Sequence, residues 1–237
     1  MRGIILLLSF AATLAHAATN GFVETRDLRL DAEGIGHLEV ETGSGDLSVV
    51  GSPDLDEVQV NATISVPGRN EDGARQLIED SLVLTLERRG DSAVLKSYFE
   101  ETGFGWGDGP GISLEVRVPS RLGLAVDDGS GAMEVRDVLG DVSIDDGSGS
   151  ITLRHVGGEV RIEDGSGSVS VTGVGGSLSI VDGSGSIEIR EVGGSVRIDD
   201  GSGGIDVDDV EQDLIVEESG SGSLRVANVR GKVQVDE

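Results

Sequence analysis

Five aspartates, Asp128, Asp146, Asp164, Asp182 and Asp200, recur eighteen residues apart, and each stands directly before a Gly-Ser-Gly triplet. Glu218 and Glu237 occupy related positions, and Asp127, Asp145, Glu163 and Asp199 form a companion column that Val181 interrupts. A row of carboxylates with carbonyl oxygens nearby is the donor set of a hard cation, so the five aspartates are candidate metal ligands with Ca²⁺ as the ion. An Asp before a turn also accepts a hydrogen bond from the backbone N–H two residues on and shapes the turn by itself. Both readings stand at this level. The spacing is neither that of an EF-hand loop nor that of the calcium-binding nonapeptide roll, because the strand positions where the roll has its ligand Asp are apolar here. No other cofactor is indicated.

A second cluster is aromatic. Tyr98, Phe99, Phe104 and Trp106 fall within one Gly-rich stretch, YFEETGFGWGDGPG, in a chain with six aromatic residues in all. Aromatic anchors dominate interface hot spots, so these four are candidate binding residues. The alternative is that the rings plug one end of the fold. Catalytic constellations are not nominated. Beyond residue 17 the chain has two histidines, His37 and His155, both at predicted strand ends. There is no nucleophile elbow, no phosphate-binding Gly-rich loop followed by Lys, and no dinucleotide fingerprint opening a helix. With no Cys, thiol catalysis, zinc-thiolate sites and disulfides are excluded.

The elements that must hold these residues follow from a repeat. Cutting at Gly129, Gly147, Gly165, Gly183, Gly201 and Gly220 yields six units, each opening with Gly-Ser-Gly, with Ser219 as one extra residue. Positions five, seven, ten, fourteen and sixteen of every unit are apolar, thirty sites where a chain that is 37% apolar would place about eleven. Positions five and seven, then fourteen and sixteen, read as two short strands with one buried face each. Gly-rich corners separate them, where close backbone approach or positive φ excludes larger residues. Such short strands bury nothing alone, but stacking successive repeats in register does bury their faces. The expected fold is therefore all-β, a right-handed parallel β-solenoid with two strands per coil and a length of roughly 29 Å over six coils. The outward columns are Glu134, Thr152, Ser170, Glu188, Asp206 and Arg225 on one face. On the other they are Ser143, Arg161, Ser179, Arg197, Ile215 and Gln234, with Arg161 and Arg197 placed to meet anionic groups or to relieve the acidic field. The fifth unit departs from the plan at Glu211-Gln212 and Ile215, and together with Ser219 it predicts a bulge near residues 210–220.

The first half carries the same grammar with interruptions. Strands are expected over 38–50, broken by a Gly-Ser-Gly corner, and over 58–66, 81–87, 93–99 and 112–118. A helical turn is expected over 72–79, with Ala74, Leu77 and Ile78 on one side. Residues 18–127 are expected to cap the solenoid of 128–237, since an open first coil exposes an apolar cross-section. Residues 1–17 read as an export signal: Arg2, an apolar run from Ile4 to Leu14, then Ala15-His16-Ala17. The run is too short to span a bilayer, and no later stretch is long enough. The expected location is therefore the periplasm or the cell surface.

The formal charge of −26 sets further limits, because a nucleic acid or an anionic lipid surface calls for a basic stripe. A Gly-rich, acidic, aromatic-poor chain ordinarily reads as disordered, but thirty apolar sites in register contradict that here.

The segments TGSGDLSV at 42–49 and VRVPSRLGLAV at 116–126, with the GSGSI and GSGSV corners after them, resemble the bacterial putative-adhesin β-solenoid family. The resemblance covers nearly all of the chain after residue 17 and implies an exported repetitive β domain with no established reaction. The residues and the resemblance together point to a non-enzymatic, adhesin-like scaffold or binding module. Its partner would be an envelope protein or a surface glycan, with no nucleic acid and no membrane span. The alternatives are a carbohydrate-active enzyme on a β-helix and a cation-binding surface protein.

Overall fold

Alternating apolar residues between glycine corners produce two mainly parallel sheets wound from one chain. The computed structural model describes residues 21–100 and 109–236. The export-signal segment, Phe104 and Trp106 lie outside the described residues. The first part contains β1 (Gly21–Asp31), β2 (His37–Ser44), β3 (Leu47–Ser52), β4 (Glu57–Pro67), α1 (Glu71–Ser81), β5 (Leu82–Arg89), β6 (Ser92–Phe99) and β7 (Gly111–Pro119). The long β8 (Gly123–Val138) then opens the regular solenoid. It is followed by β9 (Val142–Asp146), β10 (Gly149–Val156), β11 (Val160–Asp164), β12 (Gly167–Val174), β13 (Leu178–Asp182), β14 (Gly185–Val192), β15 (Val196–Asp200) and β16 (Gly203–Val210). The last strands are β17 (Leu214–Glu218), β18 (Leu224–Val229) and β19 (Val233–Val235).

Successive coils pair in parallel at a constant eighteen-residue offset, so Ile151 lies beside Val169 and Val169 beside Ile187, while Ile162 lies beside Ile180. One sheet collects β8, β10, β12, β14, β16 and β18, and we call it sheet A. The opposite sheet B collects β8, β9, β11, β13, β15, β17 and β19. β8 belongs to both, because it turns the Gly129-Ser130-Gly131 corner without losing its ladder on either side. The apolar columns of the first five units are buried and form one continuous core. The last unit is different: Val233 and Val235 are 49% and 41% exposed, because no further coil covers them.

The corner explains the third-position glycine. Gly149, Gly167, Gly185 and Gly203 all have φ near +150°, and a Cβ on Gly167 would overlap the carbonyl oxygen of Gly149 in the coil before. The opposite turn uses a left-handed residue in every coil: Asp137, His155, Gly173, Glu191, Asp209 and Asn228. Short or polar side chains are the ones that tolerate that conformation at modest cost, and Gly at no cost.

The bulge expected near residues 210–220 lies at Glu217. The β15–β17 ladder runs Ile198 to Val216 and then Asp199 to Glu218, leaving Glu217 without an opposite residue.

At the other end, spatial order departs from chain order. β2 and β3 form a coil that stacks directly on β8, with Leu38 beside Leu124 and Leu47 beside Met133. β6 and β7 form the coil beyond it, pairing in parallel with β2 and β3. The coil made earlier in the chain is thus sandwiched between two made later. Antiparallel strands then end both sheets: β1 and β4 on sheet A, β5 on sheet B. α1 packs on β1 and β5 through Ala74, Leu77 and Ile78, and Asn70 caps it by accepting from the Gly73 N–H at 3.1 Å. The Arg75 guanidinium lies 5.0 Å over the Phe22 ring. These antiparallel strands and the helix cover the end coil, while β2, β3, β6 and β7, also within the expected cap of residues 18–127, are stacked coils of the solenoid; β1 is a strand that the alternation alone did not single out.

Candidate functional site

The aspartate column is built by alternation. On sheet B, positions fourteen, sixteen and eighteen of a coil point to the same side, so Val160 and Ile162 face the core and Asp164 follows them inward. Asp128, Asp146, Asp164, Asp182 and Asp200 are neighbours in consecutive parallel pairs. None is more than 5% exposed. The column therefore lies inside the corner and not along an outer edge.

One oxygen of each side chain has a partner. Oδ1 of Asp146, Asp164, Asp182 and Asp200 accepts from the N–H of Ser148, Ser166, Ser184 and Ser202 at 3.0–3.3 Å, the turn bond two residues on. Oδ1 of Asp128 accepts from the Thr42 hydroxyl. The other oxygen, Oδ2, is buried without a hydrogen-bond partner in all five. The column continues past Asp128 into the cap as hydroxyls, because Thr42 is the register partner of both Asp128 and Ser97. Ser97 is buried as well.

Burial is the main reason these carboxyls titrate high. Loss of hydration raises all five above the ordinary carboxylate value. In Asp146 and Asp182 the carboxylates of the coils on either side add to it, and both are pushed up to about 6. Two full charges about 5 Å apart repel by on the order of 3 kcal/mol at an effective dielectric constant near 20. Among the described residues, no group of three or more His, Asp or Glu is arranged to hold a metal ion.

The aromatic candidates divide. Tyr98 and Phe99 end β6 and are half-buried, opposite Val83 and Leu82 of β5. Phe99 packs against the core. Tyr98 lies over Gly43, where a Cβ would come within 3.1 Å of the Tyr98 Cβ. Phe104 and Trp106 lie outside the described residues. The histidines are peripheral: His155 is exposed in its left-handed turn, with Nδ1 3.2 Å from Asp137.

The outer faces hold more than the columns read from sequence. Across sheet A the register aligns Arg29, Gln59, Arg117, Val50, Arg136, Arg154, Thr172 and Arg190 in one row. Two residues away on the same face runs a row containing Asp27, Glu115, Glu134, Glu188 and Asp206. Arg154 pairs with Glu134, Arg190 with Glu188 and Arg136 with Asp137. Sequence reasoning missed this row. Position eight of the repeat shows Arg136, Arg154 and Arg190, but Arg29 and Arg117 join them only through antiparallel pairing and the out-of-order coil.

Sheet B carries a groove of about 730 Å³ that runs from His37 to Ile215. Its floor is made by the outward residues Ala125, Ser143, Arg161, Ser179 and Arg197 of successive coils. Ser177 and Ser195 line one wall. Arg161 and Arg197 lean onto Glu163 and Glu217, which leaves Ser179 as a notch between them.

No family model matches the chain, and no curated protein matches it. Solved structures do. A putative adhesin from Bacteroides fragilis NCTC 9343 is 14% identical over 90% of this chain and 96% of its own, with a TM-score of 0.51. The two proteins share a fold. A putative lipid binding protein from Parabacteroides distasonis ATCC 8503 is 15% identical, covers 89% of this chain and 96% of its own, and has a TM-score of 0.46. A putative cell adhesion protein from Clostridium sporogenes ATCC 15579 is 11% identical, covers 90% and 99%, and has a TM-score of 0.35. The β-solenoid expected from the corners and strands is the architecture observed, and the Bacteroides fragilis protein shares it. No helix among the described residues is long and apolar enough to cross a membrane.

Proposed function

We propose that the protein is an exported, non-enzymatic, adhesin-like binding scaffold that holds a linear surface glycan along the sheet B groove. The carrying observation is the middle of the groove, where Ser143, Arg161, Ser179 and Arg197 offer a hydroxyl or a guanidinium group on four consecutive coils at the strand spacing of about 4.8 Å. A chain of sugar residues offers hydroxyls at a comparable repeat, and a shallow notch between charged ridges suits such a ligand. The fold shared with an adhesin-named protein supports the scaffold reading.

The test is capture on a panel of linear glycans with turnover monitored in the same samples. Ser179→Trp fills the floor of the groove without entering the core. It should weaken capture at least about tenfold, a loss of about 1.4 kcal/mol, while the melting temperature stays unchanged. Undiminished capture by Ser179→Trp would remove the groove from consideration. Glycan cleavage would establish an enzyme instead, and capture of an envelope protein but no glycan would replace the ligand class.

A further inference from the structure

The buried aspartate column has a property that its role in the turns does not require. One oxygen of each carboxylate already satisfies a corner N–H or the Thr42 hydroxyl, yet five further oxygens are enclosed together, one per coil, with no donor. A column that only shaped turns would lose nothing by being Asn, whose amide could donate to the next coil. Among the described residues, the cations near it are engaged by outward carboxylates. The outward row beside the column, Asp127, Asp145, Glu163, Val181 and Asp199, continues into the cap as Glu41 and Lys96, which pair with each other, while Arg161 pairs with Glu163 and Arg197 with Glu217. The next coil presents Glu217 and Glu218, and the cap presents the hydroxyls of Thr42 and Ser97.

Five charges in a line make four adjacent repulsions. Neutralising the second and fourth members removes all four, and no other choice of two does so. We propose that the column is a proton-binding ladder, in which Asp146 and Asp182 take up the first two protons and donate their Oδ2–H to the carboxylates of the neighbouring coils. Each proton then sits between two coils and converts one repulsion into a hydrogen bond, so that the two together give a partner to as many as four of the five enclosed Oδ2 atoms. Asp146 and Asp182 are also the two members whose carboxyls are pushed furthest up, to about 6.

The direction of the pH response follows. A carboxyl whose folded value lies above its unfolded value binds more protons when folded. The stability it contributes is fully present below the ordinary carboxylate value and is lost as pH rises through about 6. The solenoid should therefore melt several degrees higher near pH 5 than near pH 8. Asp146→Asn with Asp182→Asn keeps the turn acceptors and places permanent donors at the two alternate positions, so it should flatten this slope and raise the melting temperature near pH 8. Asp128→Asn with Asp200→Asn leaves Asp146, Asp164 and Asp182 adjacent, with two of the four repulsions intact, and should keep roughly half of the slope. Equal flattening by both pairs, or by neither, overturns the alternating ladder. Independently of either variant, the infrared spectrum of the wild-type chain near pH 5.5 should contain the C=O stretch of a protonated, deuterium-sensitive carboxyl, and its absence rejects the proposal. Titration with Ca²⁺ alone near pH 8 supplies the last arm. A rise in melting temperature that the Asp146/Asp182 pair abolishes assigns the column to a cation and not to protons, whereas no rise agrees with the ladder.

Discussion

At Gly185 the chain has φ of +155°, and a Cβ there would overlap the carbonyl oxygen of Gly167 in the preceding coil. Gly90 has φ of +67° with nothing within 4 Å of its missing Cβ. The two glycines therefore separate conformational strain from steric exclusion. Gly90→Ala should cost about 1 kcal/mol, the ordinary left-handed penalty. Gly185→Ala adds a backbone collision to that penalty and should cost about 4 kcal/mol or more, enough to open the corner. Urea denaturation of the two variants checks both magnitudes. The pattern of glycines was readable in advance, but two kinds of glycine share it. Only the stacked coils distinguish a glycine required by the residue eighteen positions earlier from one required by its own dihedral angle.

The strand is the element that stacking rewards, and the reward depends on having a coil on both sides. Ile180 on β13 has a coil above and below and is fully buried, whereas Val235 on β19 has a neighbour on one side alone and is 41% exposed. Both occupy position sixteen of the repeat. Ile180→Ala should cost about 3 kcal/mol, and Val235→Ala should stay within about 0.5 kcal/mol. Thermal or chemical unfolding of the pair would show whether position in the stack, and not position in the repeat, sets the energy. The Glu217 bulge belongs to this scale too. One inserted residue, Ser219, was visible as a break in period, and the ladder absorbs it by skipping one residue while keeping Val216 and Val235 in register.

Over the whole molecule, the acidic residues divide into two populations. The outward ones face solvent and are in part paired, as Glu134 with Arg154 and Glu217 with Arg197. The five in the corner are enclosed and pair with backbone N–H groups or Thr42. Salt reaches the first population alone, because screening acts through solvent. With a formal charge of −26, the net self-repulsion of the outer surface should relax as the screening length shortens from about 10 Å at roughly 0.1 M salt to about 3 Å at roughly 1 M. The melting temperature should rise by several degrees over that range, while the loss of stability on passing through pH 6 persists. A pH slope that vanished in high salt would place its source on the surface. The cap contributes to the same scale: β1, β4, β5 and α1 close the end at which the stack would otherwise present bare apolar coils.

The amino-acid sequence by itself determined the period, the two strands per coil, the glycine corners and the buried columns, because each is a local rule repeated at a fixed spacing. It also located the turn aspartates, the helix with its Ala74, Leu77 and Ile78 face, and the bulge. The tertiary structure alone decided three things. It placed the β2–β3 coil between two coils formed later in the chain, which no local period encodes because the intervening residues pair elsewhere. It joined Arg29 and Arg117 to the arginine row of sheet A through that rearrangement. And it turned the aspartate column inward, since the alternation that buries Val160 and Ile162 carries one step further to Asp164 before the corner changes direction. A carboxylate ladder on an outer edge and one inside a corner share the same spacing, and burial is what separates their chemistry.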